Sequence, residues 1–261
     1  MQNTEYLKSA FAVIEEIKTL IMDYYNKGFE SEEKSDTTLV TQADLAAEKR
    51  LREFVEKHYP DHGVIGEEFP NSNPNSEFQW IIDPIDGTQN FAHYIPTFGT
   101  ILSLYYQGKA VLGIIDHPAL NIRYHSSKGE GVFCNGKKLT IKDDKLPLQK
   151  NEVLGLATRG MFGRTKHEHV FDEIVKFHES HRIYYDVFST SLAISGGLAV
   201  MVEYNCTLWD ISCTELMISE AGGLYVTTNS VPRENLPPRI SAVYGRPTAV
   251  NQTVDFIRSI S

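Results

Sequence analysis

Apolar residues recur at helical spacing over residues 4–26, where Leu7, Phe11, Ile14, Ile17, Ile21 and Tyr24 share one face; this predicts a helix with one buried side. The next stretch, KGFESEEKSDTT (27–38), is acidic and polar and predicts a mobile loop. A second helix is predicted from Asp44 to about Tyr59, with Ala47, Leu51, Phe54 and Val55 inward. The pattern then changes to short apolar runs, GVIGEEF and QWIID, separated by an Asn/Ser/Pro loop over 70–77. TILSLYYQGKAVLGIIDHP predicts a hairpin turning at Gln107-Gly108-Lys109, and further strands are expected near 122–126, 131–134 and 138–141.

A polar joint at about 143–151 divides this α+β half (1–145) from a half of α/β character (146–261). Beyond the joint, EVLGLAT, RIYYD, GLAVMVE and 240–244 predict strands. Helices are predicted at 166–181, 189–197, DISCTELMISEAGG and 248–260. The two halves are expected to form one domain over 1–261.

The chain has 261 residues, 41% of them hydrophobic, enough for a full core. Its net charge of −9, without a Lys/Arg block, argues against a nucleic-acid surface. A phosphate-bearing substrate then needs local positive charge, and metal ions are one source of it. Three cysteines without C-x-x-C spacing predict free thiols in a reducing compartment. No signal-peptide pattern opens the sequence and no apolar run spans a membrane, so a cytoplasmic protein is expected.

The candidate chemistry centres on WIIDPIDGT. Asp83 is expected at the end of a buried strand, Pro84 restricts the backbone there, and Asp86, Gly87 and Thr88 are expected to open a turn or helix. Such an element offers carboxylates to a hard cation such as Mg²⁺ and bare N–H groups to a phosphate. Glu67 ends VIGE, Asp210 precedes a helix in LWD, and Asp44 stands at another helix start. Each acid alone has a plainer reading, Asp44 and Asp210 as helix caps and Glu67 as surface. Together they form a cluster that divalent cations would have to neutralise.

Rival motifs fail. DPIDGT departs from the D-x-D-G-T phosphatase loop by one residue of spacing. GVFCNGKK ends in Lys138 where a nucleotide P-loop carries Ser or Thr, and Asn135-Gly136 suits a hairpin turn. The HEH at 167–169 reads as solvated surface. There is no C-x5-R loop and no G-x-S-x-G.

LVTQAD, IGEE, DPIDGT and LWD…EAGG, in this order, resemble the inositol monophosphatase family of Mg²⁺-dependent, lithium-sensitive phosphatases over roughly 5–260. The resemblance implies a layered αβαβα sugar-phosphatase fold and a homodimer acting on a small-molecule phosphate ester. It implies that Glu67, Asp83 and the Ile85 carbonyl hold one metal and that Asp83, Asp86 and Asp210 hold a second. Glu67 would help with a third. Asp44 and Thr88 would orient and deprotonate the attacking water, and the Gly87 and Thr88 amides would hold phosphate. Lys34 matches a lysine that approaches the site.

Within the family, YPDHGVIGEEF and YYDVFSTSLAISGG look most like the histidinol-phosphate phosphatase branch. Asp186 falls where that branch has an Asp, and a carboxylate there suits a substrate ammonium. Glu203 matches a position on the leaving-group side in both branches. Gln89-Asn90, where histidinol-phosphate enzymes often carry Lys-Ser, is nearer the inositol-type pattern. The alternatives are an inositol or broad sugar-alcohol monophosphatase and, from another class, a partner-binding protein with residual phosphatase chemistry.

Overall fold

The apolar stripe of the N-terminal segment forms helix α1 (Gln2–Lys27), whose Ile14, Ile17 and Ile21 are wholly buried. The computed structural model describes residues 2–33, 39–184, 186–233 and 236–260. Lys34 lies outside the described residues. Part of the predicted 27–38 loop is strand: β1 (Ser31–Glu33) pairs antiparallel with β2 (Leu39–Thr41). Helix α2 (Gln42–His58) follows, with Ala47, Leu51, Phe54 and Val55 buried as predicted.

The first large sheet runs in sequence order: β3 (Gly63–Gly66), β4 (Phe78–Asp86), β5 (Gly99–Tyr106), β6 (Lys109–His117), β7 (Ile122–Ser127), β8 (Gly131–Cys134) and β9 (Lys137–Leu139). Only the β3–β4 pair is parallel. Helix α3 (Thr88–Ala92) interrupts the run directly after the acidic motif. Gln107-Gly108 and Asn135-Gly136 turn their hairpins in the left-handed region, as their side chains allow.

The second half contributes β10 (Leu154–Leu156), α4 (Arg159–Gly163), α5 (Glu168–Phe177), β11 (His181–Ile183), α6 (Val187–Ser195), β12 (Val200–Cys206), α7 (Thr214–Glu220), β13 (Leu224–Arg233), β14 (Leu236–Gly245) and α8 (Pro247–Ile260). The strand order is β11-β10-β12-β14-β13, parallel from β11 to β12 and antiparallel beyond.

Two expectations change here, and one strand, β13, had not been expected. The helix predicted over 166–181 is α5 alone, because His178 leaves the helix to place its buried Nε2 2.8 Å from the Glu152 carbonyl. The helix predicted from Asp210 to Gly223 is helical only as α7, since the preceding residues form a turn tied to Asp210. The strand β13 carries no regular apolar alternation. It is an edge strand held by backbone pairing to β14 and is largely half-exposed or exposed.

The layers are αβαβα. Helices α1 and α2 cover one face of the first sheet around Leu51 and Trp80. Helices α6 and α7 lie between the sheets, around Ile101, Met217 and Tyr244. Helices α4, α5 and α8 cover the outer face of the second sheet around Phe162 and Val250. Buried Arg246 ties the 143–152 joint to this body, donating to Glu152 (2.7 Å), Asp144 (3.1 Å) and the Leu146 carbonyl (2.6 Å). All three cysteines are free, and among the described residues no helix is long and apolar enough to cross a membrane.

Candidate active site

Strand β4 does not end at Asp83. It continues through Pro84 to Asp86 with a bulge between them: Asp83 pairs with Ile101 and Asp86 with Gly99. Four residues of β4 (83–86) therefore lie opposite three of β5 (99–101), and both carboxylates line the same cavity. Pro84 has no N–H to lose from the ladder, and its carbonyl accepts the buried Thr100 hydroxyl at 2.7 Å. Gly87 then turns the chain at φ 90°, ψ 40° as the N-cap of α3, and the Thr88 hydroxyl donates to the Ile85 carbonyl at 3.1 Å.

Glu67 stands just past β3 on a loop held from below by Glu48, a carboxylate the sequence reading passed over. Glu48 is completely buried in α2. It accepts the Glu68 N–H at 2.8 Å and the Phe69 N–H at 3.3 Å, and Arg52 donates to it through Nε at 2.8 Å and Nη2 at 2.7 Å. The Gly66 backbone lies so close that a Cβ there would stand 2.2 Å from Glu48 Oε1. The available signal is the i, i+4 pair Asp44/Glu48 on the buried face of one helix.

Asp44 belongs to a helix cap as its plainer reading has it, whereas Asp210 does not: it sits in the turn before α7, whose N-cap is Cys213. Asp44 closes a capping box with Thr41, accepting its N–H at 2.8 Å and its hydroxyl at 2.5 Å. Asp210 accepts from Thr207 within that turn, at 2.7 Å from the N–H and 2.5 Å from the hydroxyl. These local contacts do not remove them from the site. Asp210 lines the cavity described next, and buried Asp44 is close enough to act electrostatically on Asp83.

One cavity of about 230 Å³ is walled by Glu67, Asp83, Ile85, Asp86, Gly87 and Thr88 from the first half and by Asp186, Glu203 and Asp210 from the second. Of the sequence candidates, Asp44 lies off its wall. The acids oppose one another's ionisation. Burial raises the Asp83 carboxyl well above the usual range, and Glu67, Asp86, Asp210 and Asp44 raise it further. Burial also raises Asp86, helped by Asp186, Asp210, Glu67 and Glu203. Among the described residues, Asp83 Oδ1 is the one carboxylate oxygen that is buried without a hydrogen-bond partner.

A buried, orphaned carboxyl oxygen amid five further acids, which ionise together only if their charge is offset, calls for a cation. The donors are all hard oxygens, the set that suits Mg²⁺. Among the described residues, no group of three or more His, Cys, Asp or Glu side chains stands in finished ligand geometry. Asp44 and Asp210 are instead drawn to Thr41 and Thr207.

The opposite wall is built by α6 and β12. Burial pushes Asp186 up to about 7, aided by Asp210. Glu203 is also pushed up to about 7 by burial, against hydrogen bonds from Ser189 and Cys206. Ser189 Oγ donates to Glu203 Oε1 at 2.9 Å, and Cys206 Sγ lies 3.5 Å from Oε2. Gln89 of the Gln89-Asn90 pair also lines the cavity, as do Arg164, Thr190, Cys206 and Ile211, which were not singled out from sequence. Arg164 follows α4, an element the periodicity missed because it is one short turn.

The family model described as the inositol monophosphatase family matches residues 2–254. A histidinol-phosphatase of Chlorobaculum parvum is 30% identical over 221 residues, covering 84% of this chain and 85% of that protein. An inositol monophosphatase of Dictyostelium discoideum is 29% identical over 232 residues, covering 85% and 84%. A crystal structure described as an IMPase/NADP phosphatase complexed with Mg²⁺ and phosphate superposes with a TM-score of 0.82 at 19% identity, covering 98% of this chain and 95% of that one.

Proposed function

The chain belongs to the inositol monophosphatase family of phosphomonoesterases, and from that premise we propose that it hydrolyses histidinol phosphate to histidinol and phosphate with Mg²⁺. The observation that carries the hydrolytic part is the convergence of Glu67, Asp83, Asp86 and Asp210 on one cavity, with Asp83 Oδ1 buried and unpartnered. The solved relative with Mg²⁺ and phosphate supports the choice of cation.

In this reading Glu67, Asp83 and the Ile85 carbonyl hold one Mg²⁺, while Asp83, Asp86 and Asp210 hold another, with Glu67 assisting a third. When bound, the ions supply a more acidic water and offset charge on the leaving oxygen. The Gly87 and Thr88 N–H groups hold the phosphate. Thr88 Oγ1 and the Asp44 carboxylate orient the attacking water, and Asp44 receives its proton. Glu203, fixed by Ser189, contacts the leaving group, and Asp186 pairs with its ammonium. No covalent nucleophile is required.

The preference for histidinol phosphate rests on Asp186: its carboxylate can pair with an ammonium, which inositol phosphate lacks. The Gln89-Asn90 pair favours a second reading, an inositol or broader sugar-alcohol monophosphatase, and the two relatives divide in the same way. Phosphate release from histidinol phosphate and from inositol 1-phosphate, with and without Mg²⁺, separates them. Turnover of the inositol ester equal to or above that of histidinol phosphate overturns the first reading. We also place the enzyme in the cytoplasm as a homodimer; light scattering of the purified chain tests the dimer.

A further inference from the structure

Asp186 adopts a backbone conformation that residues with a side chain almost never adopt, with φ 76° and ψ 173°. Such a conformation persists only where the surroundings hold it. The Ser189 N–H holds its carbonyl at 3.1 Å, and the Ser189 hydroxyl, 2.8 Å away, has a single proton to share between that carbonyl and Glu203 Oε1. One group holds its carboxylate. Asn90 Nδ2 donates to Asp186 Oδ2 at 2.9 Å, across 96 residues of chain and from one half to the other.

The orientation of the Asn90 amide is fixed by what surrounds it. An ionised Asp186 carboxylate can only accept, so in that form the NH₂ end faces it. Nδ2 also reaches Thr97 Oγ1 at 3.2 Å, which uses its second hydrogen. Gly87 completes the seat. A Cβ there would stand 3.0 Å from Asp186 Oδ2, so the carboxylate rests against the flat side of the phosphate-binding turn. Oδ2 is thus occupied, while Oδ1 has no hydrogen bond among the described residues and Asp186 lines the cavity.

We propose that Asn90 is a positioning residue: by holding Asp186 Oδ2 from α3 it aims the other carboxylate oxygen at the leaving group and thereby sets the preference for substrates bearing an ammonium. The idea rests on the role given to Asp186 above. It also gives Asn90 a use in an ammonium-selecting site, although the residue departs from the Lys-Ser pair. Without the amide, a strained and half-buried carboxylate is free to turn away.

The test compares 2-aminoethyl phosphate with 2-hydroxyethyl phosphate, which differ only in the ammonium, using the full chain with Mg²⁺. The readout is the ratio of their kcat/KM values, with Tm measured in parallel. Asp186→Asn is the reference and lowers the ratio. Asn90→Ala is expected to lower it about tenfold, chiefly through KM for the amino ester, the effect of losing one charge-assisted hydrogen bond. Thr97→Val removes the second anchor of the amide from a half-buried position and is expected to lower it roughly threefold. If Asn90→Ala fails to fold, Thr97→Val decides. A fall in Tm with an unchanged ratio in the Asn90 and Thr97 variants, while Asp186→Asn lowers it, overturns the positioning role alone. An unchanged ratio in Asp186→Asn overturns both this role and the one assigned to Asp186.

Discussion

Replacing Glu48 by Gln removes a charge that is wholly buried in α2 and keeps the side-chain volume. The carboxylate meets donors on both oxygens: Arg52 and the Phe69 N–H on Oε1, the Glu68 N–H on Oε2. A glutamine can satisfy one side, but its NH₂ then faces a donor on the other. Breaking a buried ion pair from one side costs about 3–5 kcal/mol. Arg52 is 19% exposed and can turn toward water, so the lower part of that range, about 3 kcal/mol, is expected.

The same change loosens the loop on both sides of Glu67. Half-saturation by Mg²⁺ should therefore rise at least tenfold, the usual scale when a support of a ligand is lost. Urea unfolding at pH 7 measures the first effect, and a Mg²⁺ titration of phosphate release measures the second. Gly66→Ala is the independent arm: its Cβ would collide with Glu48 Oε1 at 2.2 Å and disturb the loop without touching any charge. A stability loss in both variants with an unaltered Mg²⁺ titration would refute the argument that Glu48 places Glu67.

Asp83→Asn should abolish Mg²⁺-dependent turnover while holding or raising Tm, because it removes a charge that its acidic neighbours oppose; retained turnover counts against the ligand assignment. His117 is buried, with Nδ1 3.0 Å from the Phe98 carbonyl and Nε2 2.7 Å from Ser191 Oγ, and burial lowers its pKa despite the carbonyl contact. The unfolded chain takes up that proton first, so the stabilising contribution is complete above about pH 6.5 and is lost as pH falls through the lower folded value. The stability gap between wild type and His117→Gln should accordingly narrow from pH 7 to pH 5 in urea titrations, and a constant gap would contradict it. Burial opposes ionisation of Asp143, but hydrogen bonds from Lys145 and Thr248 outweigh it and bring the carboxyl down to about 2. That contribution is complete above the unfolded value near 4 and fades as pH falls through about 2. Asp143→Asn should cost about 1 kcal/mol at neutral pH after allowance for exposed Lys145, with the difference shrinking between pH 4 and 2.5 in chemical denaturation.

Where one face of an element meets one core, the sequence is readable. Helices α1 and α2 and strands β4 to β6 fall close to their predicted places because burial imposes a period on them. β13 does not, since its backbone pairs at a sheet edge while its side chains remain partly in water. The candidate acids are visible as carboxylates at strand ends and helix starts. Their convergence depends on contacts between distant segments, such as Asn90 with Asp186 and Glu48 with the Glu68 N–H. Glu48 looks like any helix-surface glutamate until the 66–69 loop is folded over it. The hydroxyl partners Thr41 and Thr207 are local, but nothing in their spacing says that Asp210 also faces a cavity or that Asp44 lies close behind it. Asp186 marks the limit most clearly, because its left-handed backbone is a property of its surroundings and not of Asp.

The register shift in β4 makes the D-x-x-D spacing a matter of parity. On a regular strand, positions separated by an odd number point to opposite faces, so Asp83 and Asp86 would be divided by the sheet. The extra residue at the bulge restores even counting, since their partners Ile101 and Gly99 are two apart. Substitutions at Pro84 or Ile85 leave that count untouched, whereas losing either residue reverses it and turns one acid into the α1–α2 layer. In this part of the chain the number of residues is under stricter constraint than their kind.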